Sequence, residues 1–297
     1  MLPNWYTDYK KLIETSIEKY LDTYLAIPMW IPLDDFKDIV KYAFSGGKKL
    51  RSILALEFYL TLSGRDFSDL KTDDDIIKLC IAIESVHAFS LVHDDMPCMD
   101  NDELRRGELT VWKKYGEYKA VLVGDMLNIL CFELLSDIKD ARISRELTKL
   151  ISHSIGFYGM IGGQVEDMYF ENKIEELSEE ILSKLHYKKT GKLIEASILW
   201  GIIVSGEKWN IDTFKDLWRK LGLAFQIKDD LLDVEGTAEE VGKSIWDWEE
   251  KWFVYLCWVE KTREKLHILI EECKDIAKNL SSEKIDFLVE YVEKRRK

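Results

Sequence analysis

Downstream of Pro97 the chain runs to Lys297 without another proline, and only Pro3, Pro28 and Pro32 precede it. Proline removes a helical N–H and crowds the preceding turn, so its absence leaves nothing to interrupt long helices over most of the sequence. The apolar residues repeat accordingly. In "DDDIIKLCIAIESVHAFSLVHDD" (73–95) Ile77, Cys80, Ile81 and Ile83 are followed by Val86 and Phe89 at helical spacing, and "WVEKTREKLHILIEECKDIAKNL" (258–280) repeats in the same way. The first stretch is apolar nearly all round, which predicts a helix in the middle of a bundle. "SEEILSKLHYKK" and the carboxy-terminal "SSEKIDFLVEYVEKRRK" are amphipathic and are expected outside. Alternating strand patterns between helices are absent. The breaks, such as "LAIPMWIPLDD", "LSGRDFSDLKTDD" and "VEGTAEEVGKS", are short, and none has a linker's composition. The expected fold is all-α: a single domain, residues 1–297, of roughly ten helices.

Composition narrows the function. With 55 acidic against 42 basic residues the formal charge is −13, which argues against general affinity for nucleic acid or anionic membranes, so any anionic ligand needs a local cationic site. Five scattered cysteines without a CxxC pair support neither a disulfide framework nor zinc. The amino terminus "MLPNWYTDYKKLIE" lacks a signal peptide's apolar core, and no run of about 18 uncharged apolar residues follows. The expectation is a soluble, cytoplasmic protein with no membrane insertion and no nucleic-acid partner.

One pattern occurs twice. "HDDMPCMD" (93–100) and "KDDLLDV" (228–234) each close an apolar helical run with an Asp-Asp pair and a further Asp downstream. Asp229 and Asp233 fall about 40° apart on one helix face, with Asp230 adjacent. Asp94 and Asp100 would fall about 240° apart on a straight helix. Pro97 disfavours helical geometry at Met96, so the helix should end there and a short loop should return Asp100 to Asp94. Clustered carboxylates repel unless a multivalent cation neutralises them, and hard oxygen donors suit magnesium. The central Gly and twelve-residue spacing of a calcium loop are missing. Magnesium held by few carboxylates keeps water and phosphate oxygens as its other ligands, so the natural partner is a phosphorylated substrate. Cations stand in reach of such a ligand in sequence: Arg105 and Arg106, Lys48, Lys49 and Arg51 of "SGGKKLRS", Lys188 and Lys189 of "YKKTGK", and Lys243.

In order, "GGKKLR", "ESVHAFSLVHDDMPCMDNDELRRG", "KKTG" and "FQIKDDLLDV" closely resemble the motifs of the trans-type isoprenyl diphosphate synthases, over about residues 43–243. The resemblance implies mostly antiparallel helices around a deep central cavity, a homodimer, and three magnesium ions bridging Asp94, Asp95, Asp100, Asp229, Asp230 and Asp233 to an allylic diphosphate. It implies that Arg105, Lys189 and Lys243 contact that diphosphate, that Thr190 and Gln226 stand near the reacting carbons, and that Lys48, Arg51, His87 and Arg106 form the isopentenyl diphosphate pocket. His93 is read as structural. Phe89, with Ser90 beside it, lies about 500° or one and a half turns before Asp94, where a ring can block the growing chain. In this family that pattern resembles a bacterial-type farnesyl diphosphate synthase; a geranylgeranyl or geranyl product is the alternative.

Beyond Lys243 the chain departs from the family pattern. It reads "SIWDWEEKWFVYLCWVEK", where Asp247 and Lys251 correspond to family positions but a Thr-Tyr pair is missing; Ser52 stands where proline is usual. Two other classes share parts of the pattern. A class I terpene cyclase has a differently spaced second metal motif and no use for Lys48, Arg51 and His87. A non-catalytic synthase subunit is opposed by the complete aspartate set and favoured by the atypical 244–258 segment.

Overall fold

The computed structural model describes residues 2–26, 34–171, 173–206, 214–235 and 252–295. Lys243, Asp247 and Lys251 lie outside the described residues, as does the side chain of Asp233. Apart from one two-residue pairing, every described element is helical, as the proline-poor periodic sequence predicts. Contacts gather the chain into two compact units, Met1–Leu56 with Arg65–Arg145, and Glu57–Gly64 with Glu146–Lys297.

In the first unit α1 (Asn4–Tyr24), α2 (Asp34–Phe44) and the start of α3 (Leu50–Ser63) precede α4 (Asp75–Asp94), followed by α5 (Val111–Tyr115), α6 (Glu117–Ser136) and the beginning of α7 (Ala141–Ile155). Helix α4 has no polar stripe, so it must be covered on all sides, and it packs against α6, α1 and α2. Ile77, Leu79, Ala82, Ile83 and Val86 are fully buried on it, each large aliphatic side chain contributing about 1.5–3 kcal/mol. Length and composition would also let α4 cross a membrane, but 72% of its apolar window is buried inside the protein, which makes it a core helix. All five cysteines are free.

In the second unit the remainder of α7 leads to α8 (Met160–Phe170), α9 (Glu179–His186), α10 (Lys192–Val204), α11 (Lys215–Glu235), α12 (Trp252–Cys257), α13 (Val259–Ala277) and α14 (Glu283–Lys294). Two of these helices start at a serine cap. Ser178 Oγ accepts from the Ile181 N–H at 3.2 Å, and Ser282 Oγ from the Ile285 N–H at 3.3 Å; acids follow in both first turns. Such a cap is worth about 1 kcal/mol. The carboxy-terminal helix is amphipathic as expected: Ile285, Leu288, Val289 and Val292 seat one face of α14 on the unit while Lys294 stays in solvent, and Arg295 just beyond it is only 9% exposed.

Candidate active site

Helix α4 ends at Asp94, two residues earlier than Pro97 alone predicts. The Asp95 N–H still bonds back to the Leu91 carbonyl at 3.0 Å. The chain then turns: the Asp100 N–H donates to the Asp94 carbonyl at 2.9 Å, and the Asn101 N–H to the Met96 carbonyl at 3.0 Å. Asn101 takes the left-handed conformation this needs, φ 52, which Asn tolerates better than most residues. Asp100 is thus drawn back to the end of α4, as its six-residue separation from Asp94 requires.

A hairpin too short to show as strand periodicity places the two arginines. Leu104–Arg105 (β1) pairs with Glu108–Leu109 (β2), with Arg105 opposite Glu108. Arg106 (φ 58) and Gly107 (φ 80) occupy the two central positions, as a type I′ turn demands. Adjacent residues therefore go to different partners. Arg105 Nε donates to Asp95 Oδ1 at 2.6 Å and Nη2 to Asp102 Oδ2 at 3.4 Å, and Nη2 also pairs with Asp95. Burial opposes the charge on Arg105, but Asp95, Asp102 and Asp94 outweigh it and raise its pKa. Arg106 instead donates from Nη1 to the Ser45 carbonyl at 3.1 Å. Its guanidinium lies over Gly47, where an added Cβ would sit 2.7 Å from Nη1, and the left-handed φ of 74 at this position favours glycine. The "SGGKKLR" and "LRRG" motifs therefore meet.

Beside them Arg51 Nη1 lies 3.3 Å from His87 Nε2. Burial, then the guanidinium of Arg51, pushes the His87 pKa well below the ordinary histidine value, so this imidazole is neutral. The Lys48 carbonyl accepts from the Tyr6 hydroxyl at 2.7 Å. Lys49, counted among the candidate phosphate cations, turns inward: Nζ donates to the Phe44 carbonyl at 2.7 Å and lies 3.6 Å from buried Glu84. Ser52, the departure from a usual proline, donates to the same Glu84 at 2.5 Å. His93 covers Gly124 of α6 and sits 3.2 Å from the Val121 carbonyl, a structural placement as expected. Phe89 is buried and meets the His93 ring edge-on, with centroids 6.1 Å apart.

In the second unit Lys189 pairs with Asp167 and Lys188 with Glu166, both acids on α8. Thr190 Oγ1 donates to Gln226 Oε1 at 2.7 Å, and Gln226 Nε2 donates to Asp230 Oδ1 at 3.2 Å. The other oxygen of buried Asp230 accepts the Phe253 N–H at 3.2 Å, so the described end of the atypical segment is tied to the second aspartate motif. Asp229 Oδ1 accepts from Arg295 at 2.8 Å. Glu166, Asp167 and Arg295 were not singled out from sequence; the acids of "GGQVED" offer only charge complementarity to "YKKTG" as a signal.

His186 borders these lysines. Its ring is 2% exposed, packs edge-on to Phe253, and its Nδ1 has no hydrogen-bond partner among the described residues. Burial foremost, then Lys189 and Lys265, pushes its pKa down to about 3. Between pH 6.5 and 3 the unfolded chain accepts a proton that the folded site refuses, so stability falls as pH drops through this window. By pH 5 the loss from this residue is about 2 kcal/mol. His186→Phe should therefore lose about 2 kcal/mol less than the parent between pH 7 and pH 5 in urea titrations. Identical losses for both proteins would assign the acid sensitivity elsewhere.

Among the described residues no three His, Cys, Asp or Glu side chains converge as a metal cage. The donors present are nevertheless the hard carboxylates magnesium takes, and one or two of them suffice when water and phosphate oxygens complete the shell. Asp94 and Asp100, joined through the backbone, fit that mode.

A family model for polyprenyl synthetases matches residues 34–292. The chain belongs to that family. It is therefore a prenyltransferase of the trans-isoprenyl diphosphate synthase type. The farnesyl diphosphate synthase of Bacillus subtilis is 35% identical over 97% of this chain and 95% of its own length. A geranylgeranyl diphosphate synthase of Cyanophora paradoxa is 34% identical over 90% of this chain and 86% of its own. Among solved structures, a geranyltransferase from Helicobacter pylori complexed with magnesium and isoprenyl diphosphate superposes with a TM-score of 0.81 at 34% identity, covering 98% of this chain and 97% of that one.

Proposed function

We propose that the protein condenses isopentenyl diphosphate head-to-tail with dimethylallyl and then geranyl diphosphate to give farnesyl diphosphate, the whole chain acting as one cytoplasmic prenyltransferase domain. The observation that carries this reading is the hairpin that sends Arg105 to the Asp94–Asp102 acids and Arg106 to the Gly46–Gly47 turn. One acid-rich loop end thereby gains a cation for each of two diphosphates. The bacterial farnesyl synthases among the relatives favour this product over the geranylgeranyl alternative.

Asp94, Asp95 and Asp100, and in the second motif Asp229, Asp230 and Asp233, are the residues that would hold magnesium, which when bound would supply positive charge that makes the allylic diphosphate a better leaving group. Arg105, Lys189 and Lys243 bind the same diphosphate. Arg105 suits the role because its acidic neighbours keep it charged. Lys48, Arg51 and Arg106 bind isopentenyl diphosphate, and His87, neutral beside Arg51, can accept a guanidinium hydrogen bond while leaving the cationic charge to the arginines. As the carbon–oxygen bond breaks, Thr190 and Gln226, already hydrogen-bonded to each other, orient oxygen dipoles towards the developing allylic cation. The double bond of isopentenyl diphosphate then forms the new carbon–carbon bond, and the proton lost in restoring an alkene goes to the departed diphosphate. Phe89 ends the space into which the chain grows.

The protein acts as a homodimer. Tyr118, Leu122 and Ile129 are exposed on one face of α6, at 68%, 52% and 56%, with Asp125 between them, and this largely apolar face is the one offered to a second copy of the same helix. One experiment tests both statements. Purified protein with magnesium, isopentenyl diphosphate and dimethylallyl diphosphate should give a fifteen-carbon diphosphate by mass spectrometry, and its sedimentation mass should be twice the 34.8 kDa of one chain. No product from dimethylallyl, geranyl or farnesyl diphosphate would favour a non-catalytic subunit, and a single-chain mass would remove the dimer.

A further inference from the structure

The helical run that begins at Glu179 and ends at Val204 is not one α-helix. At Tyr187–Gly191 it widens into a π turn before α10 resumes. A π turn carries an extra residue at the cost of poorer hydrogen-bond geometry, so it persists only where its surroundings hold it. Here two glycines do so, neither for reasons of backbone dihedral. A Cβ on Gly163 of α8 would lie 2.4 Å from the Lys189 nitrogen, and one on Gly222 of α11 would lie 2.6 Å from the Gly191 Cα. The widened turn is thus clasped between two bare backbones. Its far side is braced by Tyr187, whose hydroxyl donates to Glu195 Oε2 at 2.5 Å, and by Lys192, which donates to the same oxygen at 2.8 Å.

On α11, Gly222, Gln226 and Asp230 follow each other at four-residue intervals and so share a face. Gly222 touches the end of the π turn, and Gln226 one turn on accepts the Thr190 hydroxyl. The separation set at Gly222 therefore fixes how far Thr190 and Lys189 stand from the Gln226 face. We propose that Gly222 is a positioning residue for prenyl transfer: its missing side chain sets the approach of α11 to the π turn and thereby the placement of Lys189 and Thr190. This rests on the function proposed above, in which those two side chains serve the reacting allylic diphosphate.

Gly222→Ala puts a methyl group where the Gly191 backbone stands, so the turn must retreat. A displacement of about 1 Å at such groups costs roughly a hundredfold in rate. The expected result is that fall in kcat, with KM for isopentenyl diphosphate unchanged, because Lys48, Arg51 and His87 are untouched. Leu217→Ala on the same helix removes a buried side chain about 140° round from Gly222, where the Leu217 carbonyl faces Cys273 of α13, and serves as the control: it should lower the melting temperature and keep kcat. Wild-type kcat in Gly222→Ala, or parallel loss of kcat and melting temperature in both variants, overturns the inference. If Gly222→Ala does not fold, Gly163→Ala probes the clasp from the α8 side, where the same kcat-specific loss supports the inference and full kcat defeats it. A wild-type protein that forms no product defeats the underlying reading of function instead, so the two failures are distinguishable.

Discussion

Asp94→Ala is expected to lower turnover by about a thousandfold, as removal of a group that stabilises developing charge does, while the protein keeps its helical content and melting temperature. The physical reason is the position of this carboxylate. It stands at the carboxy-terminal end of α4, where a carboxylate opposes the helix dipole, and its attraction to Arg105 is shared with Asp95 and Asp102, which remain. The folding role in the cluster falls to Asp95, which is buried and carries the Arg105 guanidinium. The matching change in the second motif, Asp229→Ala, is less clean. Asp229 accepts from Arg295, so its loss also strips a partner from a nearly buried guanidinium, and reduced activity there would mix two causes. Asp94→Ala should be read by steady-state turnover across magnesium concentrations, with circular dichroism and thermal melting alongside. Normal turnover would remove the first acid cluster from the mechanism; lost turnover with lost helicity would leave Asp94 a structural residue.

Phe89→Ala should lengthen the product beyond fifteen carbons and destabilise the protein by about 3–5 kcal/mol. Both effects have one cause. The ring is 5% exposed on α4 and packs against His93, so truncation opens a cavity in the interior. That cavity lies about one and a half turns from Asp94, along the direction in which the prenyl chain is proposed to grow. A domain with about 5–15 kcal/mol of stability can absorb the loss at low temperature, where the assay should be run. Phe89→Leu keeps most of the volume and should retain the fifteen-carbon product. Mass spectrometry of the products decides: fifteen carbons from a folded Phe89→Ala protein would move the floor of the cavity to other residues.

The helices, their order and the identity of the charged motifs were legible in the sequence because each depends on a few consecutive residues. The 3.6-residue period of 73–95 and the absence of proline after Pro97 act through local dihedrals and local hydrogen bonds. The return of Asp100 to Asp94 was legible for the same reason, since Pro97 limits its neighbour's backbone within the same loop. Partner choice was not. Lys48 and Lys49 are adjacent and alike, yet only the packing of Glu84 against Ser52 turns Lys49 inward. Arg105 and Arg106 are identical residues, separated in role by a six-residue hairpin with no strand signal. Arg295 reads as part of a solvated basic tail until the seating of α14 brings it to Asp229. The π turn at Tyr187–Gly191 has no periodicity of its own and exists because Gly163 and Gly222 let two helices close on it. Local chemistry fixed the elements and their catalytic vocabulary. Which charge meets which was decided by burial, because desolvation makes a pairing compulsory only once packing has excluded water, and packing joins residues far apart in the chain.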